Sequence, residues 1–411
     1  MAALSGSLQT VLVQIKKAHH LLVHPQILTL QSTYQAHTDV LRSGGNVYVP
    51  HPQVFLLLAP YELLLSCSAL FACDALAQRL QVGAGRRAML CLVEAVLLWN
   101  VSVQWGHPED AVAVGLFLFA VLALADSHVG RAAWLVGAAV AVQPLVLLAL
   151  PVLLVVIETR RVPGFLTRAA VPSAVLLGAA AWANWSATVR AVTNQPNWPT
   201  ADHLTPWTSL APHLSGGAVA AGPARAVAVL LACGCAIAVR HRWRARRLTV
   251  AWSSDALEEL LWWVAVALAF RCVFEPVMTA FYLWPPLAAA LMAASRDWSR
   301  LVATSICATA VTLLSQALWS GPWTWWVCVT AGLALTLVFA RPRLLRGGSG
   351  KPGHVALQQH VTDEGARVDE AVRQHQPHQA TLALEEAPEQ KAHDGIAKKP
   401  AKTLIQVIRP A

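Results

Sequence analysis

Apolar residues in this chain gather in long blocks separated by short polar bursts. Neither the alternation of a half-buried strand nor the single stripe of a water-facing helix describes them. The stretches 111–125, 226–239 and 327–340 are apolar all round. Blocks long enough to cross a bilayer, or nearly so, are 54–76, 88–105, 111–125, 169–185, 226–239, 257–274, 281–294, 301–319 and 323–340. The pattern therefore predicts an all-α polytopic bundle with eight or nine spanning helices. One further block, 132–157, is too long for one span and is interrupted by Gln143-Pro144. Proline there breaks the helical ladder and leaves backbone groups in need of partners, so two half-helices or a re-entrant hairpin are expected.

The arginines supply an orientation. If the first span enters from outside, Arg79, Arg86, Arg87, Arg131, Arg160, Arg161, Arg168, the cluster from Arg240 to Arg247, Arg296, Arg300, Arg341, Arg343 and Arg346 all fall inside, as positive loops should. The opposite loops hold only Arg190 and Arg225. That parity requires the 132–157 block to start and end on the cytoplasmic side, which favours the broken helix independently of its proline. Three regions follow: an extracytoplasmic segment over 1–52, a helix bundle over 53–341 with an outer loop at 187–225, and a disordered cytoplasmic tail over 342–411.

Composition changes this picture little. Hydrophobic residues make up 56% of the 411 and charged residues 13%, which suits lipid as the solvent. The net charge of +9 taken alone would suggest nucleic acid, but the arginines sit between apolar blocks, so the charge reports topology and no nucleic-acid partner is expected. Cys67, Cys73, Cys91, Cys233, Cys235, Cys272, Cys307 and Cys328 lie in or beside apolar blocks without zinc-site spacing; they read as small core residues, and no metal is assigned. No glycine-rich phosphate loop or nucleophile elbow is present, which disfavours a soluble nucleotide-using enzyme.

Candidate chemistry collects in the arginine-poor loops. Gly106-His107-Pro108-Glu109-Asp110 places an imidazole and two carboxylates where one span ends and the next begins. Such carboxylates suit cation binding, proton abstraction or holding sugar hydroxyls. They equally suit a helix start, where acids offset the dipole. The loop from Asn194 to Leu210 contains Trp198, Asp202, His203 and Trp207 among prolines, amides and hydroxyls. Its indoles could stack on sugar rings or belong to an interfacial aromatic belt; Trp182, Trp185, Trp284, Trp319, Trp323, Trp325 and Trp326 read as belt residues. Arg271 and Glu275 share a helix face, where Arg271 could hold a lipid phosphate oriented by Glu275, or the two could form an internal ion pair.

Several short motifs together resemble bacterial GT-C glycosyltransferases, especially the polyprenyl-phosphomannose-dependent mannosyltransferases. They are Gly106-His107-Pro108-Glu109-Asp110 heading a span, Gln143-Pro144 before a leucine-rich stretch, Pro206-Trp207 with Leu210-Ala211-Pro212, and Glu275-Pro276 before Tyr282 and Pro285-Pro286. The resemblance covers roughly 34–342. It implies a GT-C-like bundle in the plasma membrane, a sugar moved from a polyprenyl-phosphate donor to an envelope glycan or glycolipid, and no cofactor or divalent metal requirement. It also implies that a first helix precedes the segment 41–60, and that an outer-face carboxylate is the general base. The family's usual position for that carboxylate corresponds to 28–34, which holds no acid, so Asp110 or Glu109 is expected to serve, with Asp39 as an outside candidate. His107, Trp198, Asp202, His203, Trp207, Arg271 and Glu275 are the expected substrate contacts. A lipid or glycan transporter and a catalytically inactive partner subunit are the competing readings. The absence of an internal repeat and the gathering of polar groups on one side count against transport.

Overall fold

The computed structural model describes residues 52–99, 101, 107–193, 197, 199, 203–214, 217–245, 252–317 and 322–343. Asp39, Trp198, Asp202, the 1–51 segment and the tail beyond 343 lie outside the described residues.

The described chain is a bundle of helices: α1 (Pro52–Arg79), α2 (Ala84–Leu98), α3 (Pro108–Ala125), α4 (Val129–Val142), α5 (Leu150–Leu154), α6 (Val162–Ala183), α7 (Trp185–Thr193), α8 (Ala224–Ala245), α9 (Ser254–Phe274), α10 (Trp284–Ala294), α11 (Trp298–Ala317) and α12 (Pro322–Ala340). Two short strands, β1 (His203–Leu204) and β2 (Val277–Met278), pair antiparallel, with His203 opposite Met278. Neighbouring helices pack as α1 on α3, α3 on α4, α4 on α6, α8 on α9 and α11 on α12.

Among the described residues, five stretches are long and apolar enough to cross a membrane: Pro108–Ala125, Thr159–Ala183, Ala224–Arg244, Trp298–Ser315 and Trp323–Ala340. The last four turn large apolar side chains outward, among them Val175, Leu230, Ile306, Leu313 and Val338, whereas Pro108–Ala125 is mostly buried. A surface of this kind suits hydrocarbon rather than water. Two further apolar helices fall outside this group. α9 carries Asp255, Glu258, Glu259 and Arg271 near its two ends. α10 has only 11 residues, all of them buried, so protein rather than lipid sheathes it.

The 132–157 block is broken where the proline stands. α4 ends at Val142, Gln143 is extended with φ −147° and ψ 110°, and Pro144–Leu148 continues as a 3-10 turn before α5. The chain then returns to the end from which it came: Ser127 and Val129 line one cleft together with Ile157, Glu158, Thr159 and Val162. The block is thus a re-entrant hairpin whose first arm, 14 residues long, spans about 21 Å. Small residues let it sit close to α6. A Cβ on Gly137 would lie 2.5 Å from the Ala169 carbonyl oxygen and 2.9 Å from Pro172 Cδ.

Contacts between helices sort the charged residues by end. Arg79 pairs with Asp126, Arg86 donates to the Arg296 carbonyl, Arg242 pairs with Glu259, and Arg296 pairs with Asp255 and Glu258. Arg300 pairs with Glu258 and donates to the Ala293 and Ala340 carbonyls, and Arg341 lies over the Trp262 ring. All of these lie at one end of the bundle. Each helix that starts among them finishes near His107, Gln143, Val273 or Trp325 at the other.

Candidate functional site

The Asp110 end is assembled from four pieces of chain. Pro108 opens α3 and puts Glu109 and Asp110 in its first turn, with His107 immediately before it. α9 delivers Arg271 in its last turn and Glu275 at its C-cap. The segment through β2 to the 3-10 turn Ala280–Leu283 supplies Thr279, Phe281 and Tyr282. The hairpin tip supplies Gln143.

These side chains interlock. His107 Nδ1 lies 2.7 Å from Glu109 Oε1, and the imidazole stacks on Phe281 with ring centroids 4.0 Å apart. Phe281 meets Tyr282 edge-on, and the Arg271 guanidinium sits 3.8 Å from the Tyr282 ring centroid. Gln143 Nε2 donates to Asp110 Oδ1 at 2.7 Å, tying the hairpin tip to the head of α3. Asp110 is fully buried, and it and Arg271 lie within electrostatic reach of each other.

Asp110 Oδ2 and Arg271 Nη1 are both buried, and neither has a hydrogen-bond partner among the described residues. Thr279 Oγ1 on the neighbouring segment is in the same position. Buried polar atoms are normally satisfied, because leaving one unpaired costs about 1–3 kcal/mol. An acid and a base with open valences in one cluster form a place where a polar ligand would be held from two sides.

Glu275 makes the expected ion pair with Arg271 and has a second, closer partner. Its separation from Arg271 is 3.8 Å, whereas Arg225 Nε donates to Glu275 Oε1 at 2.7 Å. Its backbone carbonyl accepts from Thr205 Oγ1 at 2.8 Å. Glu275 therefore anchors the 203–225 loop to the end of α9. Trp207 serves the same junction, donating from Nε1 to the Val273 carbonyl at 2.7 Å and leaning on Phe274.

His203 lies at this end too. It is buried and stacked on Trp325 with centroids 3.6 Å apart, and burial pushes its imidazole down to about 4. A neutral imidazole can exchange hydrogen bonds but carries no positive charge. Chain comparisons add nothing to these observations. No family model, curated protein or solved structure matches the sequence.

Of the expected site residues, His107, Glu109, Asp110, Arg271 and Glu275 come together, and His203 and Trp207 occupy the adjoining loop junction. Two tryptophans assigned to an interfacial belt are core residues instead. Trp284 is buried and donates to Glu94 Oε2 at 3.0 Å, and Trp325 is buried and donates to the Ser315 carbonyl at 3.0 Å. Indole N–H groups found acceptors inside the bundle, which removes the reason to sit at the interface. Trp182, Trp185 and Trp323 are exposed as a belt requires. All eight cysteines are free thiols.

Sequence reasoning missed Arg225 as the partner of Glu275, Gln143 as a ligand of Asp110, and the aromatic pair Phe281 and Tyr282. Arg225 did carry a signal. It is one of only two arginines in the loops opposite the basic end, an isolated charge in need of a reason.

Proposed function

We propose that the chain is a multi-pass membrane glycosyltransferase, moving a sugar from a polyprenyl-phosphate donor to an envelope glycan or glycolipid, with its site outside the cell membrane and its arginine-rich end in the cytoplasm. The observation that carries this reading is the pair of unsatisfied buried atoms, Asp110 Oδ2 and Arg271 Nη1, in one cluster at the arginine-poor end. Mannose is the first sugar to test, on the strength of the motif resemblance.

Asp110 is the residue placed to act as base. Its Oδ1 is fixed by Gln143, leaving Oδ2 to accept the proton of an acceptor hydroxyl. The acceptor oxygen forms a bond to the sugar's anomeric carbon as the bond from that carbon to the phosphate oxygen breaks. The electron pair leaves with the polyprenyl phosphate, whose charge is met by Arg271. Glu109 is occupied by His107, so the two act as positioning residues, with Phe281 fixing the imidazole from the side. No nucleotide or metal enters this scheme, because the lipid phosphate is itself the leaving group.

The test is transfer from labelled polyprenyl-phosphomannose to candidate acceptors in membranes containing the full chain. A general base contributes roughly 10²–10⁴ in rate, so Asp110→Asn should lose at least a hundredfold, since the amide keeps the shape but cannot take the proton. Arg271→Gln should lose activity as well, and Glu109→Gln less than either. Transfer undiminished in Asp110→Asn would remove the proposed base. A bundle that carries out no transfer but moves the labelled lipid between leaflets would instead favour the flippase reading.

A further inference from the structure

An open cleft of the bundle lies at the other end from Asp110 and plays no part in the reaction above. Leu124 lines it and sits roughly 21 Å along α3 from Asp110. Its volume is about 890 Å³, within the range of roughly 300–1,000 Å³ that holds a medium-sized organic ligand. One wall is the returning arm of the re-entrant hairpin, with Pro151, Leu154 and Arg161; the other is α8, with Ile237, Arg240 and Arg244.

The α8 wall is ordered along its length. Leu230, Cys233, Ile237, Arg240 and Arg244 recur at helical spacing on one face, and all five are exposed. The face is apolar toward the middle of the bundle and basic at the end. Arg240 and Arg244 have no ion-pair partner among the described residues, whereas their neighbour Arg242, on another face, pairs with Glu259. On the hairpin wall, Glu158 is already taken by Arg160 and Arg161. The cleft therefore offers positive charge at its mouth and an apolar track leading away from it, the complement of an anionic amphiphile.

We infer that this cleft binds an anionic glycerophospholipid of the cytoplasmic leaflet, its phosphate between Arg240, Arg244 and Arg161 and its acyl chain along Ile237 and Leu230. The site requires the chain to sit in a bilayer but does not depend on sugar transfer. Two unpaired arginines facing the headgroup plane are the arrangement that retains acidic lipid, and the hydrophobic track distinguishes a lipid from a soluble phosphate.

The full chain would be reconstituted in nanodiscs of phosphatidylcholine containing a minor share of phosphatidylglycerol, extracted in mild detergent, and examined by native mass spectrometry for retained lipid. Wild type should keep phosphatidylglycerol in preference to phosphatidylcholine. The double variant Arg240→Gln, Arg244→Gln should keep at least tenfold less. Ile237→Trp, which fills the apolar wall and leaves every charge in place, should also lower retention, and it keeps the test open if the double variant does not fold. Arg343→Gln removes a charge elsewhere and should behave as wild type. Equal retention of the two lipids, a matching loss in Arg343→Gln, or displacement of the lipid by excess glycerol phosphate would overturn the assignment.

Discussion

The seat of the re-entrant hairpin on α6 makes a quantitative prediction at Gly137. An alanine Cβ at that position would stand 2.5 Å from the Ala169 carbonyl oxygen and 3.0 Å from the Ala169 Cα, and both are backbone atoms that cannot rotate away. Relief requires the two helices to separate, and overpacking of this kind costs about 1–3 kcal/mol. Against that stands the gain of about 1 kcal/mol from replacing a helical glycine by alanine. Gly178 in α6 is the control, because it has the same helical setting and nothing within 4 Å of its added Cβ. Gly178→Ala should thus be neutral or stabilising by up to about 1 kcal/mol, and Gly137→Ala should be about 1–3 kcal/mol worse than the control. Reversible unfolding in mixed micelles, followed by near-ultraviolet circular dichroism, measures the difference. The hairpin tip carries Gln143, so the same variant should loosen the bond to Asp110 and lower any transfer activity. If Gly137→Ala were as stable as Gly178→Ala, the close seat of the hairpin on α6 would be refuted.

Other expectations follow from buried charge. His203 is held neutral with its folded value near 4, below the ordinary imidazole value, so the unfolded chain takes up the proton first on acidification. Stability should be complete above about pH 6.5 and fall by about 3 kcal/mol as pH drops toward 4, and His203→Phe should flatten that part of the profile. Glu258 and Arg300 are both buried, so Glu258→Gln or Arg300→Met alone should cost about 3–5 kcal/mol, while a double apolar replacement should cost less than the sum of the two; additive losses would show that the pair is not coupled. In sealed vesicles, cysteines placed at Ser209 and at Thr159 should react with an impermeant maleimide from opposite sides, and native Cys233 should stay unlabelled in the bilayer. Reaction of the Ser209 and Thr159 sites from the same side would break the proposed topology.

What the sequence carried well were the properties that depend on one segment at a time. The apolar blocks at 226–239 and 323–340 lie within α8 and coincide with α12 nearly to the residue. The break at Gln143-Pro144 was visible because proline lacks the N–H that would continue the ladder and its ring crowds the carbonyl four residues back. By contrast Pro172 lies inside α6 without ending it, and one segment's sequence does not distinguish the two cases. The pairings between segments were hidden. Arg271 and Glu275 are four residues apart and easily matched, yet Glu275 binds Arg225 more closely, 50 residues away. Whether Glu258 and Glu259 face lipid, water or arginine depends on how α9 is rotated, which no periodicity within an almost wholly apolar helix reveals. The burial of Trp284 and Trp325 was hidden for the same reason: the acceptors of their indole N–H groups lie on other turns and other helices.

The return of the hairpin has a consequence for how the protein must be made. Its 14-residue first arm ends in an extended, proline-bounded tip, and such a break leaves backbone groups that acyl chains cannot satisfy. Its first arm packs between α3 and α6, but its tip and returning arm lie against α8 and α9. If the chain spans a bilayer as proposed, the stretch from Val129 to Ile157 must wait at the insertion machinery until α8 and α9 have emerged. A ribosome stalled just after residue 157 should therefore hold a chain in which α3 has been released laterally and the hairpin has not.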